Sequence, residues 1–257
     1  MAERLPEAHR RWNRAGGVLL VGVLGVFVTT DAVAQRRGRS RVPREERLDL
    51  PTWTVDPRFA RDVFTFVRIE YDSSATWYGW EKWAIDYPDA DWNLSWRLQQ
   101  LTSLRVEPKG LTMRLTDPRL FDYPFIYIVE PGDLTFREEE VPLLRRYLLG
   151  GGFLMVDDFW GDREWRNFYD EIRRVFPDRD PQELDLSHPI FHCVFDLKEK
   201  PQIPNMERGT QSLIPGSRFY GVTWESEKGP STRTVHYRGI HDDRGRLMVI
   251  ICHNTDL

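Results

Sequence analysis

The chain has 257 residues, of which 40% are hydrophobic and 30% charged, a composition that excludes collagen-like and intrinsically disordered proteins. Its net charge of −4 is unevenly distributed, because residues 48–257 carry −9 and the Arg-rich stretch 35–47 carries +4. Since nucleic-acid binding requires a basic face, the acidic body argues against a nucleic-acid partner.

The beginning of the chain has the three parts of an export signal. Arg10, Arg11 and Arg14 precede an apolar run over 15–28, which is followed by the small residues of Asp31-Ala32-Val33-Ala34. This pattern predicts a signal peptide over 1–34, and therefore a periplasmic or secreted protein. The alternative is an uncleaved segment that anchors the protein to the membrane, although the run is shorter than the roughly 20 residues that span a bilayer.

The stretch 35–47 contains six arginines and shows no apolar periodicity. We therefore predict a basic, flexible tether over 35–59 that leads to a domain over 60–257. In an exported protein Cys193 and Cys252 meet oxidising conditions, and both a disulfide and two free thiols remain open.

Strands and helices alternate along the first part of the predicted domain. Val63–Ile69 is rich in β-branched and aromatic residues, and two later segments are almost continuously apolar, as buried strands are. The predicted strands are 63–69, 125–129 and 153–156, and the predicted helices are 91–101, 135–149 and 162–176. This alternation, with short connections, is typical of a parallel sheet covered on both faces.

Capping residues indicate where these helices begin. Asp91 is expected to cap the first helix, and Thr135 with Glu138 is expected to form a capping box for the second. Pro142 should kink that helix or delay its regular part. In the C-terminal part of the chain the alternation of strands and helices ends. The pattern there predicts antiparallel strands over 220–224, 234–237 and 247–252, the last two joined near 242–245. We therefore expect an α/β domain with an antiparallel C-terminal appendage.

Acidic residues follow three of the predicted strands. Glu70-Tyr71 ends the first strand, Glu130 ends the middle one, and Asp157-Asp158 ends the third. In an open parallel sheet, ligands bind outside the carboxyl ends of the strands. We therefore predict a ligand cleft that includes these residues and Trp77, which lies in a Trp-rich stretch. The alternative for the tryptophans is packing in the core.

Asp157, Asp158 and His188 are the candidate catalytic residues, because carboxylates and imidazoles perform general acid–base chemistry. Asp158, His188 and His192 are the candidate metal ligands. The alternative is that an aspartate caps the next helix and His188 binds a loop backbone, and spacing alone favours this alternative. The sequence has no Walker phosphate loop, no Gly-x-Ser-x-Gly elbow and no Cys-x-x-Cys motif.

Four ordered strings of the chain carry a resemblance to a known family. The segments 67–71, 124–127, 144–158 and 188–192 together resemble an exported bacterial family, domain of unknown function 4159. The likeness covers residues 60–257. That family is similar to the class I glutamine amidotransferase-like superfamily, near its ThuA-like branch. The resemblance implies a flavodoxin-like three-layer sandwich with a mainly parallel central sheet.

The chain departs from that superfamily at two places. Amidotransferases have a nucleophilic cysteine in the turn where this sequence has Asp157 and Asp158. A carboxylate cannot form the glutaminyl thioester, so we expect no glutaminase activity. Relatives also continue beyond the motif matching His253–Asp256 with a further helix. We therefore expect a chain that stops early and a strand 247–252 with one exposed apolar face.

Two hypotheses for the function follow. The first is an exported, non-catalytic, glutamine amidotransferase-like domain that binds a protein or an envelope glycan. The second is a hydrolase that uses the Asp/His cleft. No cofactor is expected under the first hypothesis, and a divalent metal is the alternative under the second.

Overall fold

The structure is a computed structural model, and it describes residues 51–59, 62–77 and 79–257. The predicted signal peptide and most of the predicted tether lie outside the described residues. The described helices are α1 (Asp89–Leu101), α2 (Glu140–Leu149), α3 (Gly161–Val175) and α4 (Met206–Ser212). The described strands are β1 (Val67–Glu70), β2 (Asp72–Ser73), β3 (Thr76–Trp77), β4 (Trp80–Glu81), β5 (Leu111–Arg114), β6 (Phe125–Val129), β7 (Leu134–Thr135), β8 (Phe153–Phe159), β9 (Gln182–Glu183), β10 (His236–His241) and β11 (Leu247–His253).

A seven-stranded sheet with the order β5-β1-β6-β8-β11-β10-β9 forms the centre of the domain. The neighbours from β5 to β11 are parallel, whereas β10 pairs antiparallel with both β11 and β9. Two short antiparallel pairs, β2–β7 and β3–β4, lie outside this sheet. The architecture is a mixed α/β fold that fits a flavodoxin-like sandwich, as predicted.

Helices α2 and α3 cover one face of the sheet. Leu144 and Leu148 of α2 and Phe168 and Ile172 of α3 are buried in one core with strand residues such as Val156. The other face is covered by two different segments. Over β1 and β6 it packs against Leu94 of α1, and over β10 and β11 it packs against the segment 184–197.

The expectation of an exposed apolar face on the last strand is wrong. Val249 and Ile251 are buried in the core beneath α2 and α3, and Ile250 and Cys252 are buried on the opposite face. That second face is covered by the segment 184–197, including Leu184 and Phe191. Sequence periodicity does not reveal this cover, because the segment is mostly irregular.

Three predictions about individual elements also need correction. Asp91 does not cap α1 but lies inside it, fully buried. The start of α2 has no Thr135 cap, and instead Glu140 Oε2 accepts a hydrogen bond from the Arg137 amide at 2.9 Å. The predicted delay at Pro142 is confirmed, because the helix begins at Glu140 and Pro142 lies in its first turn, where a missing amide is tolerated. The segment 220–224 is not a strand.

Residue 53, which precedes the predicted domain, contacts two residues of that domain. In the segment 51–59, which belongs to the predicted tether, Trp53 Nε1 donates a hydrogen bond to the Val106 carbonyl at 2.7 Å. The Trp53 ring also lies 5.4 Å from the ring of Trp96 in α1. Across the part of the chain that the structure describes, none of the helices has the length and apolar character needed to span a membrane.

Candidate functional site

Four described residues other than glycine have a left-handed backbone, and all four lie around the carboxyl ends of neighbouring strands. Glu130 (φ 45°) follows β6, Asp158 (φ 55°) is the second-last residue of β8, and Asn254 (φ 63°) follows β11. Asp86 (φ 58°) lies in the loop before α1. This conformation costs a side-chain-bearing residue about 1 kcal/mol or more and concentrates at functional sites. We call this side of the sheet the carboxyl edge.

Three carboxylates converge at the carboxyl edge. One oxygen atom from each of Asp86, Asp158 and Asp256 lies within 4.8 Å of the other two. Asp158 is buried, Asp256 is partly buried and Asp86 is exposed, so the group leads from the interior to the surface. We call these three residues the aspartate cluster.

Asp158 is directed into the cluster by an irregularity in the sheet. The register between β8 and β11 shifts between Ile251 and His253, opposite the end of β8. Asp158 Oδ1 accepts a hydrogen bond from Trp160 Nε1 at 3.0 Å. Burial, followed by the nearby charges of Asp256 and Glu130, raises the pKa of the Asp158 carboxyl well above its usual range.

A buried ion pair holds the loop that carries Asp86. Arg68 of β1 and Asp91 of α1 are both fully buried, and Arg68 Nη2 lies 2.5 Å from Asp91 Oδ1. The other terminal nitrogen of the guanidinium group, Nη1, donates to the carbonyls of Trp83 at 3.1 Å and Ile85 at 3.0 Å. The position of Asp86 therefore depends on residues that do not themselves belong to the cluster.

Asp256 is positioned by the two residues before it. The Asn254 side chain accepts from the Gly161 amide at 2.8 Å and donates to the carbonyls of Ser231 and Thr234. Thr255 Oγ1 accepts from the Ile203 amide at 3.0 Å. Burial, followed by the charges of Asp86 and Glu225, raises the pKa of Asp256 to about 6.

Asp157 is fully buried and lies outside the cluster. Its Oδ2 accepts from the Leu257 amide at 3.0 Å and from the Tyr127 hydroxyl at 3.4 Å, and its Oδ1 has no partner among the described residues. Burial, reinforced by the charge of Asp256, raises the pKa of Asp157 well above its usual range. A protonated carboxyl satisfies these surroundings better than a charged one.

Two lysines reduce the negative charge around the cluster. Lys82 forms a buried ion pair with Glu130, and Lys228 Nζ lies 3.3 Å from Glu225 and 3.6 Å from Glu164. Although burial opposes the charged form of Lys228, the carboxylates around it raise its pKa. The carboxyl edge therefore combines several acids with two cations.

The predicted histidines do not join the carboxylates. The rings of His188 and His241 lie 5.9 Å apart, and His241 pairs with Leu247 at the amino end of β11, opposite the carboxyl edge. His188 Nδ1 accepts from the Ile190 amide at 3.2 Å, as the loop alternative expected. His192 lies 2.6 Å from Asp196 and 2.7 Å from the Leu186 carbonyl. The predicted Asp/His site is therefore not assembled.

The other predicted cleft residues differ in their surroundings. Glu70 lies 4.0 Å from Arg114 at the end of β1. Tyr71 is buried rather than cleft-lining, and its hydroxyl lies 2.7 Å from the Val129 carbonyl. The Trp77 side chain lies outside the described part of the structure. Glu130 is at the carboxyl edge, paired with Lys82.

Sequence reasoning missed Asp86 and Asp256 as site residues. Asp86 lies in an irregular loop, and Asp256 follows the last strand by three residues, where a strand-end rule would have pointed to it. No sequence pattern indicated Asp86, because an irregular loop brings this residue to the cluster.

The amino end of α3 is not open to an anion. The Trp160 amide donates to Glu164, the Gly161 amide donates to Asn254, and the Asp162 amide donates to Ser231 Oγ. A helix start commonly binds phosphate through such free amides. Here side chains accept from these three amides. Residues other than Asp157 and Asp158 therefore cap α3, in contrast to the alternative considered for these aspartates.

The fold and its acidic carboxyl edge define a flavodoxin-like α/β domain with a strand-end carboxylate site. Residues 65–257 match the family described as Domain of unknown function (DUF4159), and the chain belongs to that family. A search of curated proteins gave no match.

Proposed function

We propose that this domain binds a divalent cation at the aspartate cluster and uses it to hold a ligand, a protein or an envelope glycan, without catalysing a reaction. The observation that carries the proposal is the convergence of Asp86, Asp158 and Asp256 within 4.8 Å. Hard divalent cations prefer carboxylate oxygens as ligands. Three carboxylates from separate chain segments repel one another unless protons or a cation neutralise them.

Two further features support this proposal. The carboxyls of Asp158 and Asp256 have raised pKa values, so the folded chain holds them against electrostatic cost. Asp86 and Asp158 also adopt the left-handed backbone. Strain and charge repulsion that persist in a fold point to a role that stability alone does not explain.

Export and the relationship to the glutamine amidotransferase-like superfamily are part of the proposal. The N-terminal charge and apolar pattern supports export, and the sheet order supports the relationship. Because the chain has Asp157 and Asp158 where amidotransferases have their nucleophilic cysteine, we expect purified protein to release no ammonia from glutamine. Ammonia release that Cys193→Ala abolishes would contradict this.

Calorimetric titration of the full chain with MnCl2 and CaCl2 tests the cation site. We expect saturable binding by the wild type and at least a tenfold weaker binding by Asp158→Asn and Asp256→Asn. Asp122→Asn is the matched control, since Asp122 is exposed in the turn before β6, at the opposite end of the strands. Absence of binding to both ions, or equal weakening by the control, would refute the proposal.

A hydrolase is the second candidate, and one observation favours it. Asp158 has a strained left-handed backbone near the end of β8, three residues before α3 begins, and α/β-hydrolases hold their nucleophile between a strand and a helix. Aspartate can act as a covalent nucleophile. Turnover of p-nitrophenyl acetate or p-nitrophenyl phosphate, lost in Asp158→Asn and kept in Asp122→Asn, would favour this candidate over the binding domain.

A further inference from the structure

A polar groove of about 510 Å³ lies beside the carboxyl edge. One wall is a single face of α3, because its residues there are spaced three, four and seven positions apart. The other wall is the loop after β6 together with Ser74, whose amide donates to the Asp133 carbonyl at 3.0 Å. The side chains that line the groove are Ser74, Asp133, Arg163, Arg166, Asn167 and Asp170.

The groove and the aspartate cluster are connected by one loop. The amide of Glu130, at the start of that loop, donates to the carbonyl of Asp157, the neighbour of Asp158 in the cluster, at 3.0 Å, and Asp133, three residues later, lines the groove. Glu164 of α3 lies between them, since it is bonded to Arg163 on one side and lies 3.6 Å from Lys228 on the other. A ligand bound in the groove therefore lies next to the cluster.

Several polar groups in the groove are available to a ligand. Arg163 is already paired with Asp133 at 2.7 Å. The side chains of Arg166 and Asp170 are exposed and form no hydrogen bond or ion pair with any residue that the structure describes. Asn167 uses its amide nitrogen on the Pro131 and Leu134 carbonyls, which leaves its oxygen to accept. The groove thus offers a donor and two acceptors on neighbouring turns of α3.

The lining decides which class of ligand fits. Most small-molecule pockets are lined mainly by apolar side chains, and this groove is lined by none. The free guanidinium and the free carboxylate balance each other, so the groove is close to neutral. The surrounding body carries −9 over residues 48–257, which disfavours a polyanionic ligand. Hydroxyl groups, which both donate and accept, match this set of side chains.

We infer that the groove binds an uncharged, hydroxyl-rich saccharide chain, with Arg166 donating to sugar oxygens and Asp170 and Asn167 accepting from hydroxyls. This inference rests on the proposed function and selects the glycan over the protein as the ligand. The cation at the aspartate cluster and the groove on α3 would then bind neighbouring parts of the same saccharide.

The probes are maltohexaose, cellohexaose and chitohexaose, with hexagalacturonate as the acidic comparison. Binding to the full chain is measured by saturation-transfer NMR and calorimetry, in MnCl2 and in EDTA. We expect at least one neutral hexasaccharide to bind, with at least a fivefold loss in Arg166→Ala and in Asp170→Ala. Arg97→Ala is the matched control, since Arg97 is an exposed arginine on α1.

Binding to none of the three neutral probes, a preference for hexagalacturonate, or equal affinity in Arg166→Ala and the wild type would overturn the inference. The cation titration separates this failure from failure of the proposed function. If manganese binds and no neutral probe does, the inference alone fails. If a neutral probe binds equally in EDTA and manganese does not bind, the groove assignment stands and the cation site fails.

Discussion

Asp256 illustrates how a binding residue can lower stability. Burial raises the pKa of its carboxyl to about 6, above the ordinary value for aspartate, so the folded chain binds this proton more tightly than the unfolded chain does. Stability from this group is therefore greatest at low pH and is lost as the pH rises from about 4 to about 6. Above that range the charged carboxylate opposes folding unless a cation is bound.

Asp256→Asn should therefore stabilise the cation-free protein at pH 7.5. One pKa unit corresponds to about 1.4 kcal/mol, and allowing for the partial exposure of Asp256 we expect a gain of about 1–2 kcal/mol in the free energy of unfolding. Urea denaturation in EDTA measures it at pH 7.5 and at pH 4, where the gain should largely disappear. A gain of the same size at both pH values would show that charge is not the cause.

Arg68 and Asp91 show a different kind of dependence, since they support the site from the core. Asp91→Asn removes the charge opposite a fully buried guanidinium. We expect the free energy of unfolding, measured by urea denaturation, to fall by about 3–5 kcal/mol, because an unpaired buried charge is costly. Manganese binding should weaken as well, since Arg68 holds the carbonyls of the Asp86 loop.

The control for this change is Asp62→Asn. Asp62 forms an exposed ion pair with Arg105 at 2.5 Å. Exposed pairs contribute about 0–1 kcal/mol, so this variant should remain close to the wild type in stability and in manganese binding. If Asp91→Asn costs no more than Asp62→Asn, the buried pair is not what holds the loop.

At the scale of elements, the turn after β11 is the feature that joins fold and site. Asn254 is buried, has φ 63° and bonds three backbone groups of two other segments. Both Asn254→Ala and Asn254→Gly remove these bonds, and glycine also tolerates the left-handed backbone. We expect both variants to be destabilised by about 2–4 kcal/mol, alanine by about 1 kcal/mol more than glycine. Equal urea midpoints for the two variants would show that the turn is not strained.

Elements with strong apolar patterns could be predicted from the sequence. β6 has the predicted bounds, 125–129, and the hairpin of β10 and β11 was expected from its turn residues. Helix caps were harder to predict. Asp91 is a residue type that commonly caps helices, but in this fold it forms a buried ion pair with Arg68. The segment 184–197 has little regular structure, so nothing in its pattern indicated that it covers β11.

The candidate site could be predicted in part, for the same physical reason. The strand-end rule pointed to Glu130 and Asp158, because both follow long apolar strands. His188 lies near His241, at the other end of the strands. The sequence around His188 does not indicate which end of the sheet its loop approaches, so this position could not be predicted. Asp86 reaches the cluster through a loop whose path depends on a buried ion pair.

At the scale of the whole molecule, an acidic body surrounds a site that is itself acidic. Residues 48–257 carry −9, and this field attracts cations toward the carboxyl edge. Attraction of this kind weakens with salt, since exposed charges are screened over about 8 Å at physiological ionic strength. We propose that Asp86, Asp158 and Asp256 together bind one such cation.

Anomalous diffraction from crystals soaked in MnCl2 tests that claim most directly. We expect a single strong manganese peak with oxygen atoms of Asp86, Asp158 and Asp256 as its ligands, at distances of about 2.0–2.6 Å, the range over which hard cations bind oxygen ligands. The peak should be absent in crystals of Asp158→Asn and present in crystals of Asp122→Asn. A map with manganese elsewhere on the molecule, and none at the aspartate cluster, would contradict the account.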